Sequence, residues 1–121
     1  MKTVNTPNII ASGVVLNATR TSTAMQLFDA FVFSIQVVIS GTPTGSLKLQ
    51  ASCDAAFSGV PGLPTVWTDV ANSSTNVTAA GSVIWSITEP GYNWVRVVYT
   101  DTSSGSSTAI ISSATFNSKG F

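Results

Sequence analysis

Gln26-Leu27-Phe28-Asp29-Ala30-Phe31-Val32-Phe33-Ser34-Ile35-Gln36-Val37-Val38-Ile39-Ser40 decides the fold class of this chain. In an extended strand successive side chains point to opposite sides, so Phe31, Phe33, Ile35, Val37 and Ile39 share one side while Val32, Ser34, Gln36 and Val38 share the other. The first side is a core face. The second is the mixed face of a sheet partly covered by a neighbour.

Working outward, Gly41-Thr42-Pro43-Thr44-Gly45 has the composition of a turn, and Leu47-Lys48-Leu49-Gln50-Ala51 resumes strict alternation. Together the two runs predict a hairpin. Upstream, Ile9-Ile10 and Val14-Val15-Leu16 predict a first strand with a kink or bulge at Ser12-Gly13. Downstream, Thr65–Val70, Asn76–Ala79, Ser82–Ile87 and Asn93–Thr100 are short β-branched and aromatic runs separated by turn residues such as Gly81 and Pro90-Gly91. Thr108–Phe116 closes the series. About eight strands and no helix follow from this spacing: an all-β, antiparallel β-sandwich or jelly-roll-like fold, with a small closed barrel as the alternative. The domain organisation expected is an extended N-terminal arm over 1–8, too polar for a core and ordering on docking, followed by one β-sandwich domain over 9–121.

Composition constrains function. The 121 residues contain no histidine, one cysteine, five Lys or Arg and five Asp or Glu, and the charged share is 8%. Globular domains typically carry about 25%. Five isolated cations build no basic face, so nucleic-acid binding is not expected. The longest apolar stretch, Ala30–Ile39, is interrupted by Ser34 and Gln36 and is too short for a membrane helix. Met1–Pro7 has no apolar signal-like region, which predicts synthesis in the cytoplasm.

General acid–base, nucleophilic and metal chemistry need convergent His, Cys, Asp or Glu groups. The carboxylates Asp54, Asp69, Glu89 and Asp101 form no motif, and no calcium-type loop is present. Cys53 stands alone and reads as a small buried hydrophobe. The expectation is a non-enzymatic protein with no cofactor and no metal.

The surface candidates are aromatic. Trp85 alternates in phase with Val83 and Ile87 and reads as core. Trp94 shares a side with Tyr92 and Arg96, which makes Tyr92-Trp94-Arg96 a candidate contact row. Arg96, mid-strand, needs a partner, and Asp69 and Asp101 are both open to it, with its stem laid over Trp94. Asp54–Pro64, with Gly59, Pro61, Gly62 and Pro64, reads as a recognition loop, adding Phe57 and Pro61 to the candidate surface.

The segments Gly45-Ser46-Leu47-Lys48-Leu49-Gln50-Ala51-Ser52-Cys53-Asp54, Trp67-Thr68-Asp69-Val70, Tyr92-Asn93-Trp94-Val95-Arg96-Val97-Val98-Tyr99-Thr100, Ser103-Ser104-Gly105 and Asn117-Ser118-Lys119-Gly120 occur in this order. The series resembles small β-sandwich structural proteins of tailed bacteriophage virions. That resemblance implies a virion component, a capsid decoration or cement protein or a head–tail accessory, which forms homo-oligomers and contacts the major capsid or tail protein. The Trp-x-Asp strand after a Ser-x-Asp turn is also similar to discoidin-type carbohydrate-binding sandwiches, which implies the alternative of a glycan-binding, host-adhesion module. The Gly/Pro-rich insertion Phe57–Pro64 departs from the shorter turn of that pattern.

Overall fold

The computed structural model describes residues 2–27, 30–54 and 64–120. Among them the chain forms ten strands and no helix: β1 (Lys2–Thr6), β2 (Arg20–Thr21), β3 (Met25–Gln26), β4 (Ala30–Ser40), β5 (Gly45–Ser52), β6 (Thr68–Asp69), β7 (Thr75–Val77), β8 (Gly81–Thr88), β9 (Trp94–Asp101) and β10 (Ile110–Gly120). All pairings are antiparallel. The first sheet has the order β1-β10-β4-β8. The second is built on β9 and β5, with β2 and β3 along one edge and β6 and β7 along the other. The protein is therefore an antiparallel β-sandwich.

The alternation that predicts β4 holds in three dimensions. Phe33, Ile35, Val37 and Ile39 are buried, as are Leu47 and Leu49 of β5, Val95, Val97 and Tyr99 of β9, and Ile111, Ala114 and Phe116 of β10. These inward rows form one core cluster between the sheets, the source of most of the fold's stabilisation. Phe31, at the start of the row, is 39% exposed.

Three expectations need correction. First, β4 and β5 are not a hairpin: β4 pairs with β10 and β8, whereas β5 pairs with β9, β6 and β7. The linking turn crosses between the sheets, with Gly41 at φ 92° and Pro43 buried. A left-handed glycine lets the chain leave one sheet sharply, and a side chain there would meet Ala109 Cα at 3.0 Å.

Second, the segment expected as an arm contains β1, whose residues Lys2–Thr6 pair with Gly120–Phe116 of the same chain. A polar edge strand needs no core face of its own, because its backbone is satisfied by the neighbouring strand. Third, Ile9–Leu16 is not a strand. Ile9 and Leu16 donate backbone hydrogen bonds to Ala114 and Ala109, and Val15 makes an isolated bridge with Ile110. Ile9, Ile10 and Leu16 are nonetheless buried in the core. The register shift lies across from Ser12, between Ile111 and Ser113, where Ser12 Oγ donates to Ser112 O.

The edges of the second sheet are interrupted, and a serine hydroxyl fills each gap. Between β2 and β3, Ser22 Oγ accepts from Val97 N–H at 2.8 Å while Ser22 N–H donates to Val97 O. Between β6 and β7, Ser73 Oγ accepts from Leu49 N–H at 3.0 Å. Both serines are buried. Each supplies the partner that a continuous strand would have given.

Candidate interaction surface

The outward residues of β5 and β9 are set side by side by their ladder: Lys48 opposite Val98, Gln50 opposite Arg96, and Ser52 opposite Trp94. β6 extends the row, with Asp69 opposite Gln50. On this surface the Gln50 Oε1 accepts from Arg96 Nε and Nη2 at 2.9 and 2.7 Å, and Gln50 Nε2 donates to Asp69 Oδ1 at 3.0 Å. Lys48 Nζ donates to the other carboxylate oxygen at 3.1 Å. The Arg96 guanidinium lies over the Trp67 ring, 4.2 Å from its centroid. A cation over an aromatic face is held by the ring quadrupole, worth about 0.5–1 kcal/mol at an exposed site.

Electrostatics follow from these contacts. Hydrogen bonds from Gln50 and then Lys48 hold the Asp69 carboxyl below its ordinary value. Asp69 is thus fixed as a carboxylate, a structural anchor rather than a proton donor near neutral pH. Burial lowers the Arg96 pKa. Asp101, the other partner considered for Arg96, is occupied by its own turn: it accepts from Ser103 Oγ, Ser103 N–H and Gly105 N–H.

The structure divides the expected row. Trp94 and Arg96 share the outward side of β9, both half-buried. Tyr92 precedes β9 and packs inward, edge-on to Phe33 at 6.3 Å between centroids and 68° between planes. Two residues outside regular strand alternation need not share a side, and Asn93 has turned the chain: its N–H donates to Ser52 O and its side chain to Cys53 O and Asp54 O. The aromatic ring under the Arg96 guanidinium is that of Trp67. Trp85 packs against the core as expected, half-buried, with its indole N–H donated to Ser73 O at 2.9 Å. Cys53 is exposed rather than buried, because it stands just past the end of β5 at the mouth of the loop.

Phe57 and Pro61 lie outside the described residues. The base of their loop is described. Asp54 Oδ2 accepts from Thr65 N–H at 2.8 Å and Val66 N–H at 3.4 Å, tying the two ends together. Beside this base is a pocket of about 520 Å³ lined by Cys53, Asp54, Val66, Thr68, Asp69 and Tyr92, among others. Its size is that of small-molecule sites, about 300–1,000 Å³. Val66 on its rim is 65% exposed. Among the described residues no group of three or more His, Cys, Asp or Glu is placed to hold a metal ion.

Gln50, Trp67 and Asn93 are the residues that sequence reasoning missed. Period-two alternation places Gln50 with Lys48, and Trp67 with Asp69, on common sides. What brings the two pairs to Arg96 is cross-strand register, which no single run of residues carries.

The outer face of the first sheet is different in kind. Asn5, Asn117, Ser34 and Ser86 form one row across its four strands, and Thr3, Lys119, Val32 and Thr88 form the next. Thr115, Gln36 and Ile84, then Ser113, Val38 and Ser82, continue it. Asn5 donates to Asn117, and Ser34 Oγ to Ser86 Oγ at 3.1 Å. Lys119 is the charge on a face otherwise made of Ser, Thr, Asn, Gln, Val and Ile.

No family model and no curated protein matches the chain. Among solved structures it is similar to the coat protein of Tobacco streak virus in two crystal structures. One is 7% identical with a TM-score of 0.45, covering 98% of this chain and 87% of that one; the other, a coat protein dimer, is 6% identical with a TM-score of 0.46, covering 98% and 86%.

Proposed function

We propose that this protein is a non-enzymatic structural subunit of a bacteriophage virion, a capsid decoration or cement protein or a head–tail accessory. It forms homo-oligomers and binds the major capsid or tail protein, stabilising the particle by added contact area. The observation that carries this reading is the outer face of the first sheet, four strands wide with Lys119 as its charge. Small uncharged hydroxyl and amide groups can be buried against a neighbour with little desolvation cost, and many modest contacts sum in a multivalent lattice. The test is mass spectrometry of purified virions, together with rebinding of the purified protein to particles lacking it. A protein that neither oligomerises nor binds such particles is not this subunit.

A second reading, a glycan-binding module for host adhesion, is favoured by the pocket beside Tyr92, by Trp94 of β9 and by Trp67, which directly precedes β6. Sugar rings stack on aromatic faces with polar groups at the rim. Glycan-array binding that is lost in Trp94→Ala or Trp67→Ala while the fold survives supports this reading; no binding to any glycan removes it.

A further inference from the structure

β8 is an unguarded edge. Its eight residues, GSVIWSIT, include no charge and no proline, and it pairs with β4 from Gly81 to Thr88 without a register shift. Among the described residues no strand lies on its other side. Exposed strand edges template further pairing, and proteins ordinarily blunt them by shortness, charge, proline or bulges. The edge strands of the second sheet are short: β2, β3 and β6 have two residues each and β7 has three. β8 carries no such device, and Ile84 at its middle is 65% exposed.

The phase of the ladder tells which backbone groups are free. Glu89 N–H donates to Phe31 O, one step beyond the pair Thr88–Val32. Hydrogen-bonded pairs alternate along an antiparallel ladder, so the odd-numbered residues of β8 bond to β4. Ser82, Ile84, Ser86 and Thr88 therefore turn their N–H and C=O groups to the open edge.

We propose that β8 pairs with β8 of a second copy, antiparallel about a two-fold axis through Trp85, joining two four-stranded sheets into one. In this register Ser82 stands opposite Thr88 of the second copy, and Ile84 opposite Ser86. Every outward N–H and C=O of the strand then gains a partner. The occupant is a second copy because the strand is self-complementary. The residues with free backbone groups are also those with outward side chains, so the two-fold keeps both uncharged faces on one side and Val83, Trp85 and Ile87 on the other. The flanking Glu89 lies at opposite ends of the two copies, and no like charges meet. The inference deepens the assembly reading above by naming the partner of this edge.

The test is the association state of the full chain by sedimentation equilibrium over a wide concentration range, for wild type, Ile84→Lys, Ser86→Pro and Thr108→Lys. Ile84→Lys changes an exposed side chain, and Ser86→Pro removes an N–H that β4 does not use. Thr108→Lys puts the same charge at an exposed position of the loop between β9 and β10. A monomer–dimer equilibrium weakened about tenfold or more by Ile84→Lys and Ser86→Pro, and left intact by Thr108→Lys, is expected. Should Ser86→Pro not fold, Ile84→Lys carries the comparison. A wild type that stays monomeric, an equal loss in Thr108→Lys, or open-ended polymers overturn the pairing. Particle binding separates the two readings: association with virions by a chain that never dimerises sinks this edge and leaves the virion role standing, and a β8 dimer without particle binding does the reverse.

Discussion

Gln50 faces Arg96 across the β5–β9 ladder, and its one carbonyl oxygen accepts two hydrogen bonds from the guanidinium, at 2.9 and 2.7 Å. The same side chain donates to Asp69. A neutral amide thus links a cation to an anion, each of which would otherwise contend with water for its place on the sheet. Gln50→Leu removes both links while keeping most of the volume. It is expected to lower stability by about 1–2 kcal/mol, the size of partly exposed hydrogen bonds to charged groups. Urea unfolding checks this, and the native tryptophan emission, to which Trp67 contributes with Trp85 and Trp94, should shift as Arg96 leaves the Trp67 ring.

Acid should weaken the fold through two carboxylates. Asp69 is held below the ordinary value of 3.8 by Gln50 and Lys48, and Asp101 is held below it by the Ser103 hydroxyl, the Ser103 N–H and the Gly105 N–H. A depressed folded-state pKa contributes stability that is complete above the unfolded value and disappears as pH falls through the folded one. Denaturant midpoints measured from pH 5 downward should therefore decline below about pH 4, and the decline should be shallower in an Asp69→Asn, Asp101→Asn double variant. An unchanged acid limb in that variant counts against these contacts.

Gly45 lies under Tyr99. A Cβ at position 45 would meet Tyr99 Oη at 2.5 Å and Cζ at 2.7 Å, and would press on the Thr100 carbonyl. Gly45→Ala is expected to destabilise by roughly 2–3 kcal/mol, as overpacking of a closed core does. The Tyr99 hydroxyl is buried with no hydrogen-bond partner among the described residues. Tyr99→Phe should then be neutral or stabilising by about 1 kcal/mol, and it should relieve part of the Gly45→Ala loss. Additive effects in the double variant would show that the two positions do not press on each other.

Both tyrosines should titrate late. Burial raises Tyr92 above 10.0, and burial together with the Asp101 charge raises Tyr99. A raised folded-state pKa contributes stability that is complete below the unfolded value and is lost as pH rises through the folded one, so alkali should unfold the chain as phenolates form. The absorbance titration at the phenolate band should show no step at 10.0 in the native protein, and Tyr92→Phe should leave one late step. A native step at the ordinary value would mean that one ring is more exposed than its packing against Phe33 or Gly45 requires.

Alternation along single runs was enough to place the core. Phe33, Ile35, Val37, Ile39, Leu47, Leu49, Val95 and Val97 were legible as inward-facing because side-chain direction in a strand has period two, a local property. The near absence of charge was likewise a property of composition alone. Partners across strands were not legible. Nothing within Gly41–Gly45 distinguishes a hairpin from a crossing between sheets, since both are tight turns and the difference lies in which distant strand each arm finds. The link from Arg96 to Gln50 and Trp67, the inward turn of Tyr92, the exposure of Cys53 and the open edge of β8 all depend on register between segments tens of residues apart. Register is set by the simultaneous burial of both sheets' inner faces, and only the folded chain decides it.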